Sequence, residues 1–144
     1  MKHALWVIGI MTVAACSAVQ PLPIRTSATC YRCRRPVEDL KLAAEIIDQN
    51  RHVYTFRTAG CLATYLTEHA EDPLAVFVTD KTSGKMIRVQ SALFVRATID
   101  PKTNERDYVA FSSVPDAVAF ANQQGGSAID WAAVMAQTRV SKGN

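Results

Sequence analysis

A shift of 55 residues lays VYTFRTAGCLATYL, from Val53, over YVAFSSVPDAVAFA, from Tyr108. Phe56 then pairs with Phe111, Thr58 with Ser113, Cys61 with Asp116 and Tyr65 with Phe120. Each copy reads as a strand, a polar cap and an amphipathic helix, and a further strand follows. A unit of that kind cannot bury its apolar face alone, so two of them are expected to pack together. The repeat therefore predicts an α+β fold of two similar strand–strand–helix–strand units in one compact domain. A chain of 144 residues is long enough for one such domain with a modest core.

The segments around the repeat support this reading. Ala43 to Ile47 is apolar around Glu45 and is ambiguous between strand and helix, whereas His52 to Phe56 alternates as a strand. Asp48-Gln49-Asn50 is the turn between them. Leu62, Tyr65, Leu66 and His69 recur at helical spacing behind Thr58, a suitable N-cap, and Asp72-Pro73 ends that helix. LAVFVTD, MIRVQ, ALFVRATI and YVAF read as strands. Residues 81–85 form a turn and residues 100–107 a polar loop. Ser113 caps a second helix with Pro115 in its first turn, and Gly125-Gly126 stops it. SAIDW is a short strand, and AAVMAQT a short closing helix or turn.

The N-terminus is a targeting segment. Lys2 and His3 precede ALWVIGIMTV, an apolar run too short to span a bilayer as a mature helix. Val13-Ala14-Ala15-Cys16 follows and resembles a bacterial lipobox, which predicts cleavage before Cys16 and lipidation of its sulfur. Multiple acyl chains give stable membrane anchoring. Ser17 rather than Asp follows Cys16, as expected for an outer-membrane anchor on the periplasmic side. Ser17 to Ala28, with Pro21 and Pro23, reads as a flexible tether. The formal net charge of +3 comes from dispersed basic residues, and only Arg32, Arg34 and Arg35 cluster. No basic stripe with interleaved aromatics marks a nucleic-acid binder.

With Cys16 assigned to lipid, Cys30, Cys33 and Cys61 remain. An odd number is awkward for a disulfide framework, and free thiols in an oxidising compartment need a reason. The Cys30-Tyr31-Arg32-Cys33 spacing fits a metal clamp, a disulfide or a redox pair. A redox pair normally opens a helix after a strand, which nothing here precedes. Cys61 falls in the first turn of the helix capped by Thr58, where the dipole is expected to lower its thiol pKa. The alternative is a small buried apolar residue. Three thiolates from two segments suit Cu(I), which accepts low coordination numbers. Zn(II) prefers four ligands. Met86 and His52 are possible additional ligands. His69 lies roughly 12 Å along the helix from Cys61 and is too far to share its metal. The arginines beside the pair would offset thiolate charge. No catalytic constellation stands out: Ser112 and Ser113 read as strand end and cap, and Asp80, Asp107 and Asp130 as turn or solvated residues.

The order of parts resembles the NosL family, the accessory lipoproteins of nitrous oxide reductase. It rests on the lipobox Cys16, a cysteine motif followed by Pro36-Val37, and AEIIDQNRHVYTFRTAGCLATYL. AVFVTD with GKMIRVQSALFV, and YVAFSSVPDAVAFANQQGG, complete it. The resemblance implies a fold of two strand–strand–helix–strand units, similar to those of an organomercury lyase. It also implies a periplasmic, membrane-anchored Cu(I) carrier, not an enzyme, with Cys33 as the matching cysteine. A family methionine after the cysteine motif is replaced by Arg34-Arg35, and another is missing from DPKTNERDY, so this is a divergent member. The expected organisation is a signal peptide over residues 1–15, the tether over 16–28, a NosL-like domain over 29–138 and a disordered tail over 139–144. The expected function is a metallochaperone holding Cu(I), or Zn(II), at Cys30, Cys33 and Cys61. Its partner would be a copper-receiving apo-enzyme such as nitrous oxide reductase, or another copper chaperone. The alternatives are a thiol–disulfide redox protein using Cys30 and Cys33, or a zinc-binding structural lipoprotein.

Overall fold

The computed structural model describes residues 18–143. Cys16 and the lipobox lie outside them. Strands β1 (Ala44–Ile47) and β2 (Val53–Phe56) form a hairpin, helix α1 (Ala59–His69) follows, and β3 (Ala75–Thr79) returns beside β1. A short strand β4 (Met86–Arg88) adds to β3, and a single 3-10 turn leads out. The second unit repeats the order: β5 (Leu93–Asp100), β6 (Glu105–Phe111), helix α2 (Val114–Gln124) and β7 (Ala128–Ile129). Helix α3 (Trp131–Lys142) closes the chain. The sheets are ordered β2-β1-β3-β4 and β6-β5-β7, so in both units the first strand lies between the second and third. The expected pair of strand–strand–helix–strand units is the observed fold.

The caps explain why the helices begin where they do. Thr58 and Ser113, paired by the repeat, each accept a hydrogen bond from the backbone N–H three residues on, at Cys61 and Asp116. Asp130 caps α3 in the same manner through Ala133. Gly125 adopts φ +66° at the end of α2, a conformation open to glycine at little cost. β1 resolves as a strand because all four residues are buried, as a central strand with a neighbour on each side requires.

Strand alternation in the second sheet divides the core. Phe94, Tyr108 and Ala110 join Ile46, Phe56, Leu62 and Val134 in the main cluster between the sheets, α1 and α3. Val95, Ala97, Val109 and Phe111 face Ala117 and Ala121 of α2. The two units are also stitched by Asp80, which is 2% exposed. Its carboxylate accepts from the Ser83 N–H and hydroxyl in its own turn and from Ser112 N–H across the junction, where Lys81 N–H also bonds Ala110 C=O.

Four expectations are corrected. Asp80 is not a solvated turn residue but this buried joint, because three donors replace its water. The expected flexible tether lies on the first sheet from residue 18 onward. Leu22 N–H donates to the buried Glu45 carboxylate, Arg88 donates to Val19 C=O, and Val19 packs onto Ile47, Ala75 and Phe77. Glu45, in the middle of a central strand, needs a donor there; burial pushes its carboxyl up and the Leu22 contact offsets part of that. The polar loop shrinks to residues 101–104 as β5 and β6 extend across it. Residues 139–142 of the expected tail are instead the last turn of α3, tied by Lys142 to Glu68 at 3.4 Å, and residue 144 lies outside the described residues.

Burial raises the Asp80 pKa, but the hydrogen bonds from Ser83 and Ser112 outweigh it and hold the carboxyl below its ordinary range. Such a group stabilises the fold above the unfolded-state value of about 4, and the contribution disappears as pH falls through the lower folded-state value. Asp80→Ala is expected to cost roughly 2–4 kcal/mol at neutral pH by urea denaturation, and less in acid. Equal losses at pH 7 and pH 3 would contradict this role.

Candidate metal centre

Residues 28–37 form a tight loop. Thr29 and Pro36 make an antiparallel bridge, Cys30 N–H donates to Arg35 C=O, and Arg34 N–H donates to Cys30 C=O. Arg34 turns the chain at φ 60°. Tyr31 anchors the loop to the first unit: its N–H bonds Thr55 C=O at 2.8 Å, and its ring packs on Tyr54, Phe56 and Tyr65. The loop thereby sits at the edge of β2, beside the first turn of α1.

That placement brings Cys30 and Cys33 to Cys61. The three Sγ atoms lie within 4.8 Å of one another, and those of Cys33 and Cys61 are 3.8 Å apart. Metal–sulfur bonds of about 2.3 Å put sulfurs sharing one ion about 4 Å apart. All three are free thiols; Cys30 is fully buried, while Cys33 and Cys61 are partly exposed.

Cys61 is oriented from below by the second unit. Thr58 accepts from Cys61 N–H at 3.1 Å and donates its own proton to Asp107 at 2.6 Å. Asp107 also accepts from Gly60 N–H at 2.8 Å and from Tyr108 N–H. Burial raises the Asp107 carboxyl, against those donors and the nearby Arg57 charge. The expectation that Asp107 is a solvated loop residue is corrected: it lies in β6 and fastens the start of α1.

The electrostatics of the cluster favour one thiolate. The Cys61 thiol donates to the Cys33 sulfur at 3.8 Å. Its proximity to Cys30, together with backbone N–H groups at Cys33 and Arg57, outweighs burial and lowers the Cys30 thiol well below its ordinary range. Cys61 moves up, because ionising it would place a second charge beside Cys30 in a buried site. The helix dipole was expected to lower Cys61; the neighbouring thiol wins because it is in direct contact. Arg32 and Arg57 place positive charge near Cys33 and Cys61. Arg32 is held by two hydrogen bonds to Glu68, and Arg57 by two to Glu105, which Arg35 also meets. Arg34 lies over the Tyr31 ring. Of the clustered arginines, Arg32 thus serves the sulfurs, and the others brace the loop.

The remaining expected donors stand elsewhere. Met86 packs in the cluster of Ile47, Ala75 and Phe77, apart from the one that holds Cys30. His52 is exposed in the β1–β2 turn, with Nδ1 3.1 Å from Asp48. Met86 and His52 are corrected from possible ligands to packing and turn residues. Thr58 as a cap was legible from sequence, whereas Asp107, Arg57 and Glu105 were missed. The repeat sets Asp107 opposite His52, and nothing local distinguishes its role.

This arrangement meets three comparisons with known proteins. The model of the NosL family matches residues 21–138. The chain belongs to the NosL family. Its fold is similar to the crystal structure of the copper chaperone NosL from Shewanella denitrificans, with a TM-score of 0.66 and 20% identity. The likeness covers 78% of this chain and 92% of that one. A search of curated proteins finds no match. This member of the NosL family thus sets three sulfurs at the junction of its cysteine loop and α1.

Two outcomes test the geometry. Ultraviolet thiolate absorbance of the reduced, metal-free protein is expected to show one thiolate per chain at pH 7, fading only well below the ordinary thiol range as pH falls. No thiolate at pH 7 would contradict the hydrogen-bonded cluster. A Cβ at Gly60 would collide with the Asp107 carboxylate, which three donors hold in place. Gly60→Ala is therefore expected to destabilise the fold by roughly 1–3 kcal/mol in a urea titration. It is also expected to change the reactivity of Cys61 toward alkylation.

Proposed function

We propose that this chain is a lipid-anchored metallochaperone that holds Cu(I) between Cys30, Cys33 and Cys61 and passes it to a partner. The observation that carries the reading is the convergence of three free thiols, from two segments, to within 4.8 Å. Three sulfur donors suit Cu(I), which takes soft ligands at low coordination number, better than Zn(II), which takes four. Family membership and the likeness to a copper chaperone support the same choice.

The chain acts as a carrier, not as an enzyme. Cys30, buried and the first to ionise, is the inner ligand. Cys33 and Cys61, partly exposed, are the ones a partner's soft ligands displace first. Exchange proceeds one sulfur at a time, so the ion is never released to water. Arg32 and Arg57 stabilise the negative charge of a three-thiolate site. The partner is a copper-receiving apo-enzyme, such as nitrous oxide reductase, or a second copper chaperone. Cys16 carries the lipid and holds the domain on the periplasmic side of the outer membrane.

The test is a Cu(I) titration of the reduced domain lacking Cys16, under anaerobic conditions, against a competing chelator. One equivalent is expected to bind tightly. Cys61→Ser is expected to weaken affinity more than about tenfold, or about 1.4 kcal/mol. Met86→Ala and His52→Ala leave it unchanged. Failure to retain one equivalent sinks the reading. A Cys30–Cys33 disulfide with a potential in the oxidoreductase range would favour a thiol–disulfide protein instead.

A further inference from the structure

A groove of about 340 Å³ opens directly beside Cys61. Its walls come from four places that the sequence keeps apart: the cysteine loop, the first turns of α1, strands β5 and β6, and the last turns of α3. Four cationic side chains line it, Arg32, Arg96, Arg106 and Lys142, against the single carboxylate of Asp107. The Asp107 oxygens are occupied by Thr58, Gly60 and Tyr108. Glu68, nearby, pairs with both Arg32 and Lys142.

Arg96 and Arg106 are the surplus. Both are exposed, and neither meets a carboxylate among the described residues. The fold holds both in place. Arg96 lies over the Tyr108 ring, at 6.0 Å from its centroid, and Arg106 donates to Arg96 C=O. They are diagonal neighbours across the β5–β6 ladder, since Arg96 faces Tyr108 and Thr98 faces Arg106. Two like charges kept side by side cost stability unless something of opposite sign is brought to them. A cleft lined by one sign of charge concentrates its field outward and speeds encounter with oppositely charged partners.

We propose that the Arg96–Arg106 wall is the docking surface for a protein partner that carries acidic residues beside its soft copper ligand. The proposal rests on the carrier reading and adds the partner's surface chemistry. Cys30 is fully buried, so exchange must begin at Cys33 or Cys61, and Cys61 borders the groove. A partner steered by carboxylates onto Arg96 and Arg106 presents its ligand at that sulfur. The site is on an open face rather than in an enclosed cavity, which suits a protuberant loop of a protein.

The test uses two synthetic peptides. One carries Cys-x-x-Cys flanked by Asp and Glu; the other has Lys in the flanking places. Binding to the reduced, metal-free protein is followed by fluorescence anisotropy, and Cu(I) transfer from the loaded protein by stopped flow. At low salt the acidic peptide is expected to bind and accept copper at least about tenfold better, an advantage that shrinks as salt rises. R96Q/R106Q is expected to abolish the preference while its Cu(I) affinity against a chelator is unchanged. R96K/R106K, which keeps the charges, is expected to retain it. Equal binding of the two peptides, or an undiminished preference in a folded R96Q/R106Q protein, overturns the proposal. So does binding to phosphatidylglycerol vesicles without binding to the acidic peptide, which would assign the wall to a membrane. Because the anisotropy arm contains no copper, a protein that fails to hold Cu(I) yet prefers the acidic peptide refutes the carrier reading and leaves the docking surface standing.

Discussion

The Thr58 hydroxyl is engaged from both sides. It accepts from Cys61 N–H and donates to Asp107, so one oxygen both caps α1 and ties it to β6. Helix starts leave N–H groups that need partners, and a threonine cap alone answers one of them. Asp107 answers another at Gly60 and orients the cap itself. The orientation of α1 relative to the second unit follows from this clamp, and with it the position of Cys61. The close approach of the Asp107 carboxylate to Cα of residue 60 is why glycine stands there.

Against that fixed sulfur the cysteine loop is set by packing of a different kind. Tyr31 enters an aromatic group with Tyr54, Phe56 and Tyr65, and its N–H extends the β2 edge. The loop also makes ionic contacts, through Arg32 to Glu68 on α1 and Arg35 to Glu105 on β6. Surface ion pairs contribute little individually. Their effect here is positional: Glu68 and Glu105 hold guanidinium groups near the thiols without neutralising the site from within. Three sulfurs at such short range cannot all ionise in a buried place without compensation, and Arg32 with Arg57 supplies it.

The NosL family resemblance was visible in the order of segments, and the missing methionines were visible with it. What replaces them has a physical form in the structure. Arg34 takes the left-handed conformation that closes the cysteine loop and stacks over Tyr31, while Arg35 reaches Glu105. The residues where a thioether was expected thus hold the loop in place, and the sulfurs that converge beside α1 come from cysteines. The arginines after Cys33, the least explained part of the motif as a sequence, are bracing residues.

Local patterns along the chain specify most of the elements and their repetition. Strand alternation, the caps Thr58 and Ser113, and the Gly125 stop each depend on residues within a few positions, and such signals survive without knowledge of the fold. The sequence also showed three cysteines beyond the lipobox, Cys30, Cys33 and Cys61. Packing of the two units brings Cys61 to Cys30 and Cys33, sets Asp107 under α1, and leaves Met86 and His52 elsewhere. Tertiary packing likewise tied the supposed tether to the first sheet and made most of the supposed tail helical, with Glu45 and Glu68 as their partners. The reason is the range of the interactions. The Asp107 carboxylate finds its donors 47 and 49 residues away, and Cys33 finds Cys61 at 28. A short-range pattern carries no record of which distant group will stand opposite a side chain once the two units have packed.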